Sequence, residues 1–331
     1  MEREERFLVT GALGCLGSWT VASLVREGIF TTAFDLSKDT YRLQYLLNKE
    51  ELSHVSFAQG DITDLDDLDR VVTENGITHV IHLAALQVPF CRADPVAGAL
   101  VNVQGTLNVF EVARLRRDIV KRVIFASSAA VYGPQSDYAR DIPVPASAIL
   151  RPNTHYGVYK QANEGTARMY WQNEGISSIG LRPYIVYGVG RDQGLTSETS
   201  KAMLAAAVDQ KFHVSHGGRA DFQLAEDVAR TFISCGRIEY EGTSVHNLRG
   251  NGAHVRDVIA AIEAASPKSG GRITFDEETL LPFPDALDDA SLVKILGDVP
   301  GTPLQIGVQS TVEHFSRLAS TGQIDAKTFL S

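Results

Sequence analysis

A glycine-rich bend near the N-terminus constrains this chain more than any other feature. The apolar run from Phe7 to Thr10 breaks into Gly11, Gly14 and Gly17, and apolar residues then resume up to Gly28. This pattern predicts a strand, a tight turn and a helix, because glycines allow sharp turns and let backbone approach a bound group closely. Glycines also make ordinary turns, so the bend alone does not establish a binding site.

A second strand gives the bend its context. The run that begins at Thr31 is apolar and ends at Asp35, an acid at the distance expected for a dinucleotide-binding unit. The N-terminus of the intervening helix can hold a pyrophosphate, since its unpaired N–H groups favour negative charge. The bend and the acid together therefore predict a dinucleotide-binding domain.

Composition and charge exclude several classes of protein. The chain has 331 residues, of which 44% are hydrophobic and 21% charged, as in ordinary soluble globular proteins. Its formal net charge of −9 argues against a nucleic-acid partner, because such binding depends on clustered Lys and Arg. No apolar run reaches the length needed to span a membrane, so we expect no membrane partner either.

The cysteines and the N-terminus indicate a cytoplasmic protein. Cys15, Cys91 and Cys235 are widely spaced and form no C-x-x-C pair, which favours reduced thiols over disulfides or a metal site. The N-terminus is charged and leads directly into a strand, unlike a signal peptide. We also expect the helix N-terminus to lower the pKa of the Cys15 thiol, which a bound cofactor would cover.

Strand-like and helix-like segments alternate through the first half of the chain, which predicts an α/β fold with a doubly wound parallel sheet of the Rossmann type. The alternation fails after Gly188. We therefore expect a dinucleotide-binding domain over residues 1–183 and a smaller α/β lobe, mainly for substrate, over 184–331. Segments around 220–250, such as Ser244 to Leu248, are expected to return to the sheet. The predicted strands are Arg6–Thr10, Thr31–Asp35, Val55–Gln59, His79–Ala84, Arg122–Ser127 and Ser178–Arg182, and the predicted helices include Leu65–Glu74, Pro95–Arg114 and Tyr156–Glu174.

Tyr156 and Lys160 are the first candidates for chemistry. They lie four residues apart in a segment that Asn153 or Thr154 can cap, so both project from one helix face. A phenol is a poor base at neutral pH, but a nearby ammonium and a positive nicotinamide ring both favour the phenolate. The alternative is a half-buried tyrosine beside a solvated lysine. A third candidate, Ser128, follows a strand and would lie at the carboxyl edge of the sheet.

Together these motifs resemble the extended short-chain dehydrogenase/reductase family, in its NAD-dependent epimerase/dehydratase group. The similarity covers nearly all of the first 190 residues and is fainter beyond them. It is carried by the glycine bend after Thr10, Gly60-Asp61-Ile62, His82-Leu83-Ala84-Ala85, Asn102-Val103-x-Gly105-Thr106, Ser127-Ser128-x-x-Val131-Tyr132-Gly133, Tyr156-x-x-x-Lys160 and Arg182-Pro183.

The resemblance implies NAD as the cofactor. Asp35 would hold the adenosine ribose hydroxyls and repel a 2′-phosphate, although Lys38 and Arg42 lie nearby and leave NADP open. Asp61 could instead be a turn residue, and Asn102 a buried amide that only satisfies backbone groups. The implied cofactor-binding residues are Gly11, Gly14, Cys15, Leu16, Gly17, Asp35, Leu36, Asp61, Ile62, Leu83, Ala84, Ala85, Gln87, Asn102, Tyr156, Lys160, Tyr184 and Val186.

The resemblance also implies the catalytic roles. Tyr156 would take the proton of a secondary alcohol as hydride leaves for nicotinamide, Ser128 would bind the substrate oxygen, and Lys160 would bind the nicotinamide ribose. Members that eliminate water place an Asp-Glu pair directly after the catalytic hydroxyl, where this chain has Ala129 and Ala130. We therefore expect epimerisation or dehydrogenation and not dehydration.

The substrate is a carbohydrate-like small molecule of uncertain class. Nucleotide-sugar members have an Asn after the Arg-Pro pair and an Arg before an Asp-aromatic pair, but here these positions are Ile185 and Ala220, with Arg219 displaced by one. Either Arg219 or Arg191 contacts a diphosphate, or the substrate is a smaller sugar, sugar acid or hydroxy compound. A non-catalytic NAD-binding module is a further alternative, which the complete Ser-Tyr-Lys set opposes. The resemblance also implies a homodimer.

Overall fold

The structure is a computed structural model that describes residues 4–330. In chain order the strands are β1 Arg6–Thr10, β2 Phe30–Asp35, β3 Val55–Gln59, β4 His79–His82, β5 Arg122–Ala126, β6 Ser178–Arg182, β7 Ile185–Tyr187, β8 Phe212–Val214, β9 Arg219–Leu224, β10 Thr243–Asn247, β11 Asn251–His254 and β12 Ile273–Phe275. The α-helices are α1 Cys15–Arg26, α2 Tyr41–Leu46, α3 Lys49–Ser53, α4 Leu65–Glu74, α5 Val88–Ala93, α6 Pro95–Ala99, α7 Gly105–Leu115, α8 His155–Glu174, α9 Glu198–Ala207, α10 Ala225–Arg237, α11 Val255–Ala265, α12 Ala290–Leu296, α13 Leu304–Ser320 and α14 Ala326–Leu330.

The central sheet has seven strands in the order β10-β6-β5-β4-β1-β2-β3. Every pairing in it is parallel; for example, Val9 of β1 lies between Ala33 of β2 and Ile81 of β4. The chain runs outward from β1 to β3 and returns on the other side through β4, so the strand order reverses beside β1. This confirms the predicted doubly wound α/β fold, whose ligands bind where the order reverses.

Two hydrophobic cores cover the two faces of the sheet. On one face α1 and α10 pack together, and Phe7 and Val9 belong to their core. On the other face α4, α7 and α8 surround Leu8 and Phe125. Successive residues of β1 therefore point to opposite cores, which is why the strand is apolar throughout.

The observed elements follow the sequence pattern closely, with one informative difference. Strand β4 ends at His82, two residues before the predicted end. Leu83 N still bonds to Thr10 O at 3.1 Å, whereas Ala84 N bonds to the side-chain oxygen Thr10 Oγ1 at 3.3 Å. This frees the segment after His82 to line the site described below. The predicted helix 95–114 is continuous but contains a π turn over Leu100–Gln104.

The later residues form a second set of strands. β9 lies between β7 and β11, and β8 pairs with β12. β10 returns to the central sheet beside β6, as expected for the segment around Ser244. Only two residues separate the end of β6 from the start of β7, so this second set starts directly at the carboxyl edge of the central sheet.

Candidate active site

A cavity of about 630 Å³ lies at the carboxyl ends of β1, β4 and β5. The glycine bend, the end of β2 and the segment after β4 form one part of its wall, and the start of α8 and the loop after β7 form another. It is therefore the crevice in which the topology predicts a ligand.

The glycine bend is shaped for close approach. Gly11 has φ +66°, and a Cβ atom there would lie 2.7 Å from Ala84 Cα. A Cβ at Gly17 would lie 2.1 Å from Gly11 O, so larger residues would break the turn. Helix α1 begins at Cys15 with Gly14 as its N-cap and no side-chain cap. Its first N–H groups therefore remain available to an anion such as a pyrophosphate.

Asp35, at the end of β2, lies in the wall of the cavity. Its Oδ2 accepts from Leu13 N and its Oδ1 from Ser37 N, both at 2.9 Å, so the carboxylate is fixed against the bend. Arg42, the basic residue that could recognise a 2′-phosphate, donates instead to Leu13 O, Gly190 O and Asp192. Lys38 is exposed and is not part of the cavity wall. The donor set therefore fits NAD.

The structure brings nearly all of the predicted cofactor residues to this cavity. Asp61 lies in the wall, and its Oδ1 also accepts from Thr63 N and Thr63 Oγ1 at 2.9 and 2.8 Å, as a turn residue does. The predicted residues found in the wall are Gly11, Gly14, Cys15, Leu16, Gly17, Asp35, Leu36, Asp61, Ile62, Leu83, Ala84, Ala85, Gln87, Tyr156, Lys160, Tyr184 and Val186.

Asn102 lies behind the wall, not in it. It is 1% exposed, accepts from Leu86 N at 2.7 Å and donates to Leu86 O at 2.9 Å. Its own carbonyl oxygen accepts from Asn163 Nδ2 on α8 at 2.9 Å. Asn102 therefore holds the backbone of a lining residue and joins it to α8, the second of the two roles that the sequence left open.

Ser128 and Tyr156 both line the cavity. Ser128 follows β5, and its Oγ accepts from Ala130 N at 3.1 Å. Helix α8 begins at His155 and is capped by Thr154, whose Oγ1 accepts from Gly157 N at 3.0 Å, so Tyr156 lies in its first turn. The Ser128 hydroxyl is near enough to the Tyr156 phenol to act on its pKa.

Lys160 lies one turn further along α8. Its side chain is 2% exposed, and its Nζ donates to Ala126 O of β5 at 2.7 Å. Nζ lies 5.6 Å from the centre of the Tyr156 ring. The amine is therefore fixed between the sheet edge and the phenol.

Burial favours the uncharged forms of both groups. Burial raises the pKa of Tyr156, while the Ser128 hydroxyl and the charge of Arg191 act to lower it. Burial lowers the pKa of Lys160 from 10.5 to about 8. The phenol therefore needs a positive charge beside it to act as a base near neutral pH.

A buried ion pair anchors α8 to the sheet. Glu164 accepts from Arg182 Nε and Nη2 at 2.8 and 2.7 Å, and from Ser127 Oγ at 2.5 Å. Arg182 Nη1 also donates to Tyr132 Oη and to Ala146 O. These contacts fix the residue next to Ser128 relative to the helix that carries Tyr156.

Only one of the two arginines expected to bind the substrate lies in the cavity wall. Arg191 lies in the wall, whereas Arg219 does not; Arg219 is exposed and its Nη2 donates to Gly252 O at 3.2 Å. Ile185 and Ala220, which replace the family's polar residues, are buried at 0% and 3% exposure. Of the two arginines proposed for substrate, only Arg191 is placed to reach a ligand in this cavity.

The expectation for the Cys15 thiol is wrong. Burial raises the pKa of Cys15 to about 11, outweighing the charges of Arg191 and Arg42, which act to lower it. The helix N-terminus does not offset this loss of hydration, so the thiol stays protonated. Cys15, Cys91 and Cys235 are all free.

Asp192, Thr196 and Phe283 are among the lining residues that the sequence did not predict. Asp192 binds Arg42, and Thr196 accepts from Arg191 Nη2 at 3.2 Å. An adjacent Arg191-Asp192 pair in a glycine-containing loop after a strand was the available signal for the first two. Phe283 reaches the site from almost 100 residues further on, and no local pattern indicates it.

Two further features concern residues 4–330 only. In this range no helix combines the length and apolarity needed to cross a bilayer. The same range contains no group of three His, Cys, Asp or Glu residues arranged to hold a metal ion.

Comparison with known proteins agrees with the geometry. The family model of the NAD-dependent epimerase/dehydratase family matches residues 7–237. A UDP-glucose 4-epimerase from Mycolicibacterium smegmatis is 29% identical over 94% of this chain and 98% of its own. A UDP-glucuronate 4-epimerase from Arabidopsis thaliana is 31% identical over 67% of this chain and 52% of its own.

Solved structures share the fold. The UDP-glucose 4-epimerase of Thermus thermophilus, crystallised with NAD, has a TM-score of 0.80 and 26% identity over 94% of this chain and 98% of its own. A partial-consensus L-threonine 3-dehydrogenase has a TM-score of 0.82 and 22% identity over 94% of this chain and 99% of its own. The cofactor is NAD, and the chain belongs to the NAD-dependent epimerase/dehydratase family, within the extended short-chain dehydrogenases.

Proposed function

We propose that this protein is an NAD-dependent oxidoreductase or epimerase that acts on a secondary alcohol of a sugar or sugar-derived compound. The observation that carries the proposal is that Ser128 and Tyr156 line one cavity at the sheet edge, beside the fixed amine of Lys160. A binding module needs no such proton-transfer groups, and their presence supports an enzyme.

The proposed mechanism uses these three side chains together. Ser128 holds the alcohol oxygen of the substrate by a hydrogen bond. Tyr156 takes the hydroxyl proton as general base and returns one in the reverse direction. Lys160 binds the nicotinamide ribose and stabilises the phenolate by its charge. NAD, when bound, supplies the hydride acceptor and donor.

We further propose a division of labour along the chain. Residues 1–183 mainly bind the coenzyme, and residues 184–331 mainly bind the substrate, apart from the elements of the 220–250 region that return to the sheet. The loop after β7, which carries Arg191, supports this division because it belongs to residues 184–331 and lines the cavity together with Tyr184, Val186 and Phe283. Ala129 and Ala130 carry no acid or base, so we assign no dehydration step to this site.

A second candidate is a nucleotide-sugar 4-epimerase. The M. smegmatis relative, which spans 94% of this chain, favours it. The buried apolar side chains of Ile185 and Ala220 oppose it, since a desolvated diphosphate needs charged or polar donors.

Absorbance of the coenzyme tests the proposal. The NAD-loaded protein is mixed with UDP-glucose, UDP-glucuronate, free sugars and sugar acids in turn, while the NADH band is followed. Net NADH formation indicates a dehydrogenase, and product formation with no net NADH indicates an epimerase. If no compound changes either the coenzyme or the added compound, the proposal of an enzyme acting on such alcohols is contradicted.

A further inference from the structure

We infer that the substrate is a small hydroxy acid whose carboxylate binds Arg191, with the amide of Gln87 beside it, while its alcohol reaches Ser128 and Tyr156. This inference rests on the proposed function and narrows its substrate class. It excludes the nucleotide-sugar candidate, because the carboxylate takes the place of a diphosphate as the anionic group.

The first reason is an unused donor. Among residues 4–330 the buried Nε of Arg191 has no hydrogen-bond partner, and its guanidinium forms no ion pair with a carboxylate. Its Nη2 makes one bond, to Thr196 Oγ1. A guanidinium presents its donors in a planar fork that matches a carboxylate, and leaving such a donor buried and unpaired is costly. The free Nε edge therefore calls for an anionic acceptor from a ligand.

The second reason is the neighbouring amide. Gln87 Oε1 is also buried without a partner among the residues that the structure describes. A Cβ built on Gly194 would lie 2.0 Å from this oxygen and 3.3 Å from Arg191 Nη2, so the amide and the guanidinium are neighbours. An acceptor and a cationic donor side by side suit a ligand that carries a hydroxyl next to a carboxylate.

The third reason is proximity to the proposed base. Arg191 and Tyr156 line the same cavity, and the charge of Arg191 acts on the pKa of the Tyr156 phenol. One ligand in this cavity can therefore place its carboxylate at the guanidinium and its reacting alcohol at the phenol.

The fourth reason is the closure of the cavity on its substrate side. Phe283 is 7% exposed, lines the cavity and packs edge-on against Tyr184 at 5.9 Å between ring centres. The segment that carries Phe283 is held at Leu287, whose N donates to Asp221 Oδ2 at 2.7 Å. Ala286 O accepts from Val144 N at 3.0 Å. These bonds keep an aromatic side chain where a longer substrate would extend, so a small one is favoured.

Arg191 could instead bind the pyrophosphate of the coenzyme, since its charge also acts on Cys15 in the glycine bend. The experiment must therefore separate the two sources of anion. Binding is measured by titration calorimetry on the NAD-loaded Tyr156→Phe protein, in which no turnover disturbs the result. The probes are D-glycerate, L-threonate, D-gluconate and D-glucuronate, each paired with its uncharged counterpart (glycerol, threitol, glucitol and glucose), together with UDP and UDP-glucose.

We expect at least one carboxylate to bind about tenfold more tightly than its uncharged counterpart. Arg191→Gln should remove this difference and leave the affinity for NAD unchanged. Arg191→Lys, which keeps the charge and loses the fork, should retain part of it. Arg230→Gln, at an exposed position on α10, is the matched control and should bind like the parent protein.

Three results would overturn the inference. The first is that no carboxylate binds more tightly than its uncharged counterpart, and the second is that UDP or UDP-glucose binds more tightly than every carboxylate. The third is that Arg191→Gln weakens the binding of NAD by the same factor as the binding of the carboxylate. The last result would place the guanidinium on the coenzyme. Because these are binding measurements, they stand apart from the proposed function, which fails if Tyr156→Phe keeps its turnover.

Discussion

Arg42 and Asp192 form a buried ion pair, with 2.7 Å between Nη2 and Oδ1, that joins α2 to the loop after β7. The side chains are 13% and 12% exposed, and Tyr41 Oη also donates to Asp192 at 2.5 Å. Arg42 further binds Leu13 O in the glycine bend. One side chain thus ties the coenzyme side of the cavity to the loop that presents Arg191.

Removing the charge of Asp192 should loosen this connection. Asp192→Asn leaves the Arg42 guanidinium buried without a counter-ion, which costs about 3 kcal/mol of unfolding free energy. We also expect NAD to dissociate about tenfold faster, because the loop and the bend lose their shared anchor. Urea unfolding and stopped-flow fluorescence measure the two effects. Glu74→Gln, in an exposed pair with Arg70, is the control and should cost less than about 1 kcal/mol; equal losses in both variants would refute the expectation.

Gly194→Ala should disturb the cavity beyond ordinary backbone strain. Gly194 has φ +100°, and the added Cβ would lie 2.0 Å from Gln87 Oε1, so the amide must move. Gly28 has φ +73° with no atom within 4 Å of its Cβ position. Both substitutions should lower thermal stability through strain of about 1–2 kcal/mol. Only Gly194→Ala should also reduce the preference for a carboxylate over its uncharged counterpart in calorimetry, and an unchanged preference would argue against a role for Gln87 there.

The buried amine of Lys160 should make stability depend on pH. Its pKa is lowered from 10.5 to about 8, so the unfolded chain holds this proton to higher pH than the folded one. Stability from this group therefore rises as pH increases from about 8 to about 10.5. The unfolding free energy of the wild type, relative to that of Lys160→Met at the same pH, should therefore increase over this pH window. Lys49→Met, at an exposed position, should give no such slope. If the difference in unfolding free energy for Lys160→Met does not change with pH, the lowered pKa of the buried amine is contradicted.

We propose that the protein is a homodimer formed through the helices around Val96 and Val158, as the family resemblance implies. Val96, Leu100, Val158 and Met169 are 71%, 48%, 48% and 42% exposed on these helices. Val158→Arg should therefore give the mass of one chain in analytical ultracentrifugation. Ile306→Arg, at a position on α13 that is 58% exposed, should leave the assembly intact. A wild-type protein with the mass of one chain would reject the proposal.

The sequence predicted the central sheet well because each strand is an apolar run bounded by turns and helices. The bounds of β1, β3, β6 and α4 agree with the predicted ones residue for residue. The position of Tyr156 and Lys160 on one helix was also predictable, since they are separated by one helical turn. Signals of this kind are local, and they do not depend on how distant segments meet.

What the sequence could not show depends on distant contacts. Arg42 and Asp192 are 150 residues apart, and neither position indicates its partner. The same holds for Phe283 beside Tyr184, and for the displacement of Arg219 from the cavity. The position of Cys15 at a helix N-terminus does not indicate the raised pKa of its thiol, because burial, which has the larger effect, depends on distant segments.

The central claim is that Tyr156 is the general base. The wild type and Tyr156→Phe, both loaded with NAD, are given the compound that the wild type converts, and the first turnover is followed by stopped-flow absorbance of NADH. Tyr159→Phe is the matched control, because Tyr159 lies on the same helix and its Oη donates to Pro95 O at 2.8 Å. We predict a rate lower by a factor of about 100 to 10,000 in Tyr156→Phe, with Tyr159→Phe close to the wild type. A wild-type rate in Tyr156→Phe would contradict the account.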